Sequence, residues 1–97
     1  MTITFDQRKR DRTLEERGLD FAVDAAKVFA GRHADFEATG DYGERRTISA
    51  GWCDGRMVMM VWTQRGAARH IISMRYCHAK ETRKILRAFP DIALDRS

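Results

Sequence analysis

The stretch RRTISAGWCDGRMVMMVWTQRGAARHIISMRY, residues 45–76, decides how this chain folds. Asp54-Gly55 divides its first half, and glycine beside a short polar residue marks a tight hairpin turn because it tolerates positive φ. The segments RRTISAGWC and RMVMMVWTQ on either side read as strands. In the second, Met57, Met59 and Val61 alternate with Val58, Met60 and Trp62, so both parities are apolar. A strand buried on both faces belongs in the middle of a sheet. QRGAA then turns the chain into RHIISMRY, a third strand.

Outward from this core, TITFD alternates and reads as an opening strand that joins the sheet at its edge or centre. QRKRDRTLEERG follows as a charged helix with Gly18 as its stop. Asp20 is expected to cap a second helix, FAVDAAKVFA, whose Phe21, Ala25, Val28 and Phe29 form a buried face. HADFE is a weak strand signal, and GDYG at 40–43 a loop. AKETRKILRAF closes the chain as a helix ending near Pro90. The predicted fold class is α+β, in the order β-α-α-β-β-β-α, with a mainly antiparallel sheet packed on helices. Residues 1–97 are expected to form a single domain, since 97 residues with 43% apolar content suit one core.

The totals also limit function. No run approaches the length of a membrane span, and no signal-peptide core follows Met1, which predicts a cytoplasmic protein with no membrane association. Cys53 and Cys77, with His33, His70 and His78, have no zinc-like spacing, so free thiols and no metal or cofactor are expected. The net charge of +4 is uneven. Residues 1–64 carry ten Lys/Arg against eleven Asp/Glu, whereas residues 65–97 carry eight against three. An excess confined to the last third suggests an acidic partner such as RNA or DNA, although basic surfaces also serve solubility.

Strand parity sorts the candidate site. His70, Ile72, Met74 and Tyr76 are assigned to the core, and Arg69, Ile71, Ser73 and Arg75 to the other face. In the strand from residue 45, Arg45, Thr47 and Ser49 share a parity opposite Arg46, Ile48, Ala50 and Trp52. One sheet face is therefore expected to gather Arg45, Thr47, Ser49, Arg69, Ser73 and Arg75. Arginine forks suit phosphate there, yet a hydrated face pairing with Glu44, Glu81 or Asp54 explains the same residues. Lys80, Lys84 and Arg87 form a basic helix stripe that also fits plain solvated surface. His78, at the start of that helix, is either a proton-transfer residue or an exposed turn residue. Trp52, Trp62 and Tyr76 read as core, and Tyr42 as an exposed aromatic.

Distributed segments resemble one family. FD with Arg8 and Lys9, RGLDF at 17–21, VF at 28–29, YGERR at 42–46, DGR at 54–56, WTQRG at 62–66 and IISMR at 71–75 are similar to the BrnT toxins of bacterial type II toxin–antitoxin systems. These are small relatives of the RelE-like ribonuclease fold. The resemblance implies a metal-independent endoribonuclease that cuts RNA to arrest growth. It implies as partner a BrnA-like antitoxin with a ribbon-helix-helix domain, operator DNA being contacted only through the complex to repress the promoter. A toxin dimer within an assembly of two toxins and two antitoxins is the expected state. By the same analogy Arg75 is the leading catalytic candidate, followed by Lys80 and Glu81; His78 joins them as a catalytic candidate from its own chemistry. Arg45, Arg65, Arg69 and Arg83 are candidates for RNA binding. The chain departs from the family in having Glu16-Arg17-Gly18 where Lys-His-Gly is common, and His78 where Ser or Thr is usual. A noncatalytic protein that only binds antitoxin and represses the operon is the alternative; a direct DNA-binding protein is weaker, since no recognition-helix pattern is present.

Overall fold

The computed structural model describes residues 1–96. Its elements run β1 (Thr2–Phe5), α1 (Gln7–Arg17), α2 (Asp24–Ala30), β2 (His33–Glu37), β3 (Thr47–Cys53), β4 (Arg56–Arg65), β5 (Ala68–Tyr76), α3 (Ala79–Ala88) and a 3₁₀ helix over Pro90–Asp95. The α+β class and mainly antiparallel sheet expected from the sequence are present. The order contains one strand more than expected, because HADFE does form β2. It adds to the sheet edge by pairing with β3 from His33↔Gly51 to Glu37↔Thr47.

The sheet order is β1-β5-β4-β3-β2, with β4 central, as its double-sided apolar pattern requires. Asp54 and Gly55 have φ of 49° and 82°, the pair of positive values that a two-residue hairpin between twisted strands needs. β1 lies at the opposite edge from β2 and runs parallel to β5; the other three pairings are antiparallel.

Helices cover both sheet faces. On one, α1 and α2 enclose Leu19, Phe21, Ala25 and Val28 with Val58, Met60, Trp62, Ile71 and Met74. On the other, α3 and the 3₁₀ helix bring Ile85 and Ile92 onto Ala50, Trp52, Met57 and Cys77. The first helix contributes no buried residue and is tied down electrostatically: Arg10 donates through Nε and Nη2 to the two carboxylate oxygens of Asp20 at 3.0 and 2.9 Å. Asp6 caps its start by accepting from Lys9 N–H, and Gly18, at φ 72°, ends it.

Two local expectations change. Asp20 does not cap a helix at Phe21; its side chain accepts from Ala22 N–H and its carbonyl from Val23 and Asp24, so residues 21–23 form a turn and α2 starts at Asp24. Phe21 is fully buried all the same. The second change matters more. The β4–β5 ladder pairs Val61 with Ser73 but Trp62 with Ile71, leaving Ile72 as an extra residue. Such a bulge reverses side-chain parity along β5.

Gly51 sets how closely α2 approaches the sheet. A Cβ there would lie 3.0 Å from Val28 Cγ1 and 3.2 Å from His33 Cβ. Gly51→Ala is therefore expected to lower unfolding free energy in urea by about 1–3 kcal/mol, the usual cost of overpacking. A variant as stable as the parent would show that this contact is not tight.

Candidate functional site

Directly paired residues on neighbouring strands share a face, so the register assigns each candidate. Gln64↔Arg69, Trp62↔Ile71, Met60↔Met74 and Val58↔Tyr76 lie on the face covered by α1 and α2. Arg69 is on that side, its guanidinium 4.4 Å from the Phe29 ring centroid and 4.8 Å from that of Trp62. Met59↔Arg75 and Val61↔Ser73 lie on the opposite face, with α3. The single polar face expected from simple alternation is thus split by the bulge, which puts Ile71 in the core and separates Arg69 from Arg75.

Thr47 and Ser49 also fall on the α1–α2 face. Ser49 is fully buried, accepting from Trp62 Nε1 at 2.8 Å and donating to Asp35 Oδ1 at 2.6 Å. It is a structural hydroxyl that satisfies an indole inside the core. Arg45 and Arg65 stand at the end of the sheet remote from the β5–α3 junction. Arg45 Nε is 3.3 Å from Glu37, and Arg65 Nη2 is 3.6 Å from Glu44. Arg46 also reaches Glu44 and lies 4.1 Å from the Tyr42 ring centroid. Tyr42 and its flanking arginines form a separate, solvated cluster.

The tightest charged arrangement is at the junction between β5 and α3. Arg75 Nη1 and Nη2 donate to Glu81 Oε1 and Oε2 at 2.8 and 2.6 Å, a two-pronged pair. Nη2 also lies 3.5 Å from Met59 Sδ. Glu81 has a second duty, because its Oε1 accepts from the His78 N–H at 3.1 Å while His78 Nδ1 accepts from the Glu81 N–H at 3.3 Å. This reciprocal capping box begins α3. His78 thus fills the N-cap role with an imidazole nitrogen in place of the more usual hydroxyl oxygen. Arg17, at the other point of departure, donates from Nη1 to the Met74 carbonyl at 2.7 Å and ties α1 to β5.

This geometry fixes protonation. The Arg75 guanidinium holds the Glu81 carboxyl down to about 2, helped by the His78 backbone N–H and opposed by partial burial. Arg75 is raised in turn by the same hydrogen bonds. A carboxylate so depressed is a weak proton acceptor near neutrality. His78 faces Glu81 with both ring nitrogens, Nδ1 in the cap and Nε2 at 3.3 Å from Oε1. Glu81 thus orients Arg75, and Arg75 is the group able to present charge to a phosphate. Lys80 is exposed on the first turn of α3, and Arg83 lines an adjoining cleft with His78.

Parity reasoning missed Arg56 and Arg96, which line the same cleft; neither stands in a basic run. Both cysteines are free and buried, their thiols pushed up to about 11, mainly by burial. Asp24, Cys53 and Asp54 converge closely enough to suggest a metal. However, Lys27 Nζ sits 3.3 Å from Asp24 and 2.9 Å from Asp54, so an ammonium already answers both carboxylates. No helix among the described residues is long and apolar enough to cross a membrane.

The result is a small basic α+β protein with an oriented arginine at a strand–helix junction, an arrangement suited to phosphate chemistry. Residues 5–81 match the family described as the ribonuclease toxin, BrnT, of type II toxin–antitoxin systems. The chain belongs to this BrnT toxin family, and with that membership comes an antitoxin partner. No curated protein matches the chain.

Because the folded Glu81 carboxyl lies below its unfolded value of about 4.3, its stabilising effect is complete above that pH and is lost as pH falls toward about 2. The stability difference between the parent and Glu81→Gln should therefore shrink steadily from about pH 4.5 to 2. A difference that stayed constant or grew across that window would contradict the pairing.

Proposed function

We propose that this chain, as one domain, is a metal-independent endoribonuclease of RelE-like type, and that Arg75 is its central catalytic residue. The supporting observation is the two-pronged Arg75–Glu81 pair, which holds a guanidinium still on the α3 face of the sheet. The RNA 2′-oxygen attacks the adjacent phosphorus in line. The new O2′–P bond forms as the P–O5′ bond breaks, leaving a 2′,3′-cyclic phosphate. The 2′ proton departs to an acceptor and the 5′-oxygen gains one.

Arg75 stabilises the charge that grows on the phosphoryl oxygens, and its fixed position minimises reorganisation at that moment. Glu81 is a positioning residue. In this reading His78 turns its Nε2 from Glu81 Oε1, 3.3 Å away in the free protein, to donate to the leaving oxygen, while Lys80 adds positive potential. Arg83 binds flanking RNA, with Arg45 and Arg65 as more distant contacts. Arg69, stacked on the helical face, is left out of the reacting set.

In the cytoplasm, a BrnA-like ribbon-helix-helix antitoxin would neutralise the enzyme in a complex of two toxins and two antitoxins. That complex would repress its own operon, with operator DNA contacted through the antitoxin. The noncatalytic alternative draws support from the same pair, since both Arg75 amino groups are committed to Glu81.

Purified protein is expected to cut single-stranded RNA in EDTA, leaving cyclic-phosphate ends. Arg75→Ala should slow single-turnover cleavage about 10²–10³-fold, the usual loss when one such donor is removed. Equal rates for parent and variant, or a requirement for added divalent metal, would contradict the mechanism. No cleavage by either, with tight antitoxin binding retained, would select the noncatalytic reading.

A further inference from the structure

Beside Arg75, between the β3–β4 hairpin and α3, lies an open cleft. It holds about 510 Å³, within the range of small-ligand sites. Trp52, Met57 and Leu86 line its apolar part, Arg83 and Arg96 supply its charge, and Arg56 borders it at the hairpin end. Among the described residues, no carboxylate lines it. This differs from the surroundings of Arg45, Arg65 and Arg75, each of which faces a glutamate.

Among the described residues, no acidic side chain pairs with Arg56 or Arg96. Arg56 lies 3.8 Å from the Tyr76 ring centroid, so its guanidinium sits on the α1–α2 side of the hairpin end. Arg96 donates from Nε to the Gly55 carbonyl at 3.3 Å and lies 4.9 Å from the Trp52 ring centroid. Arg83 is exposed on α3. Arg83 and Arg96 bring positive charge to a cleft with no carboxylate among its described lining residues, and an anion placed there balances it. The apolar lining is a poor anchor for a protein partner, since Trp52 and Met57 are only 8% and 2% exposed. A flat, charged ligand fits better, because a nucleobase stacks on guanidinium planes and phosphate oxygens accept from guanidinium forks.

His78 forms part of the cleft wall and also caps Glu81, the partner of Arg75. The cleft and the Arg75 position therefore flank one helix start. We propose that this cleft is a second RNA subsite, in which Arg83 and Arg96 hold a nucleotide adjacent to the scissile phosphate. It rests on the RNA-cleaving reading and extends it by assigning where the strand continues past Arg75.

Binding of a 2′-O-methyl oligoribonucleotide, whose blocked 2′-oxygen prevents cleavage, tests the subsite by fluorescence anisotropy across a salt series. Arg83→Ala is expected to weaken binding about 10-fold, and Arg83→Ala/Arg96→Ala further. The slope of log affinity against log salt should fall by about one per phosphate-contacting arginine removed. Arg87→Ala, on the same helix but outside the cleft, should stay within about 2-fold as the measure of general charge loss. Thermal melts confirm that each variant is folded, and the exposed Arg83 supplies the test if the double variant is not.

Cleft variants that bind like Arg87→Ala, or that bind RNA normally but lose the antitoxin, would overturn the subsite. If the parent cuts RNA and these variants bind normally, the subsite fails while the Arg75 mechanism stands. If the parent cuts nothing but the variants lose RNA binding with the expected salt slope, the subsite stands and the enzymatic reading fails.

Discussion

Strand β4 must bury side chains on both of its faces, and the rest of the molecule is arranged to satisfy that demand. Val58, Met60 and Trp62 need one cover and Met57 and Met59 another, so a single layer of helices would leave half of them in water. The chain meets this with α1 and α2 on one side and α3 with the 3₁₀ helix on the other. At roughly 1.5–3 kcal/mol for each large side chain buried, neither cover is dispensable for a chain this short. The functional consequence is that α3 is fixed over the far end of the sheet, where its first turn meets the end of β5.

That meeting point explains why Arg75 and Glu81 find each other. Arg75 is the last outward residue of β5 before the chain turns, and Glu81 is the third residue of α3. The capping box fixes Glu81 to the helix start, and the two-pronged pair then fixes Arg75 to Glu81. His78 takes part through its backbone N–H and one ring nitrogen. One set of hydrogen bonds therefore both begins a helix and orients a guanidinium, so damage to the cap also loosens Arg75.

Much of this was legible in the residues. The two-sided apolar strand, the Asp54-Gly55 turn and the Gly18 stop each state a local preference that the fold honours. The Arg75–Glu81 pairing was also open to sequence reasoning, as one of two readings of those residues. What misled simple alternation was one extra residue, Ile72, in a strand whose composition gives no hint of it. RHIISMRY carries Ile71 and Ile72 side by side on opposite parities, so hydrophobic pattern alone does not say which of them enters the core. The bulge is set by the partner strand and by burial of both Ile71 and Met74, which are tertiary facts. Ser49 was misplaced for a related reason: a small hydroxyl in a strand reads as surface until a buried indole is seen to need it. Arg56 and Arg96 escaped notice because the cleft joins a hairpin turn to the chain's end, and no local motif connects them.

The central claim is that RNA is handled on the α3 face, with Arg69 on the other side of the sheet from the chemistry. The most direct measurement is an amide chemical-shift titration of the labelled protein with the noncleavable oligoribonucleotide. The account predicts perturbations concentrated at Ser73, Arg75, His78 and Arg83, with Phe29, Thr47 and Arg69 unmoved. Shifts concentrated around Arg69 and Phe29, with Arg75 silent, would contradict it.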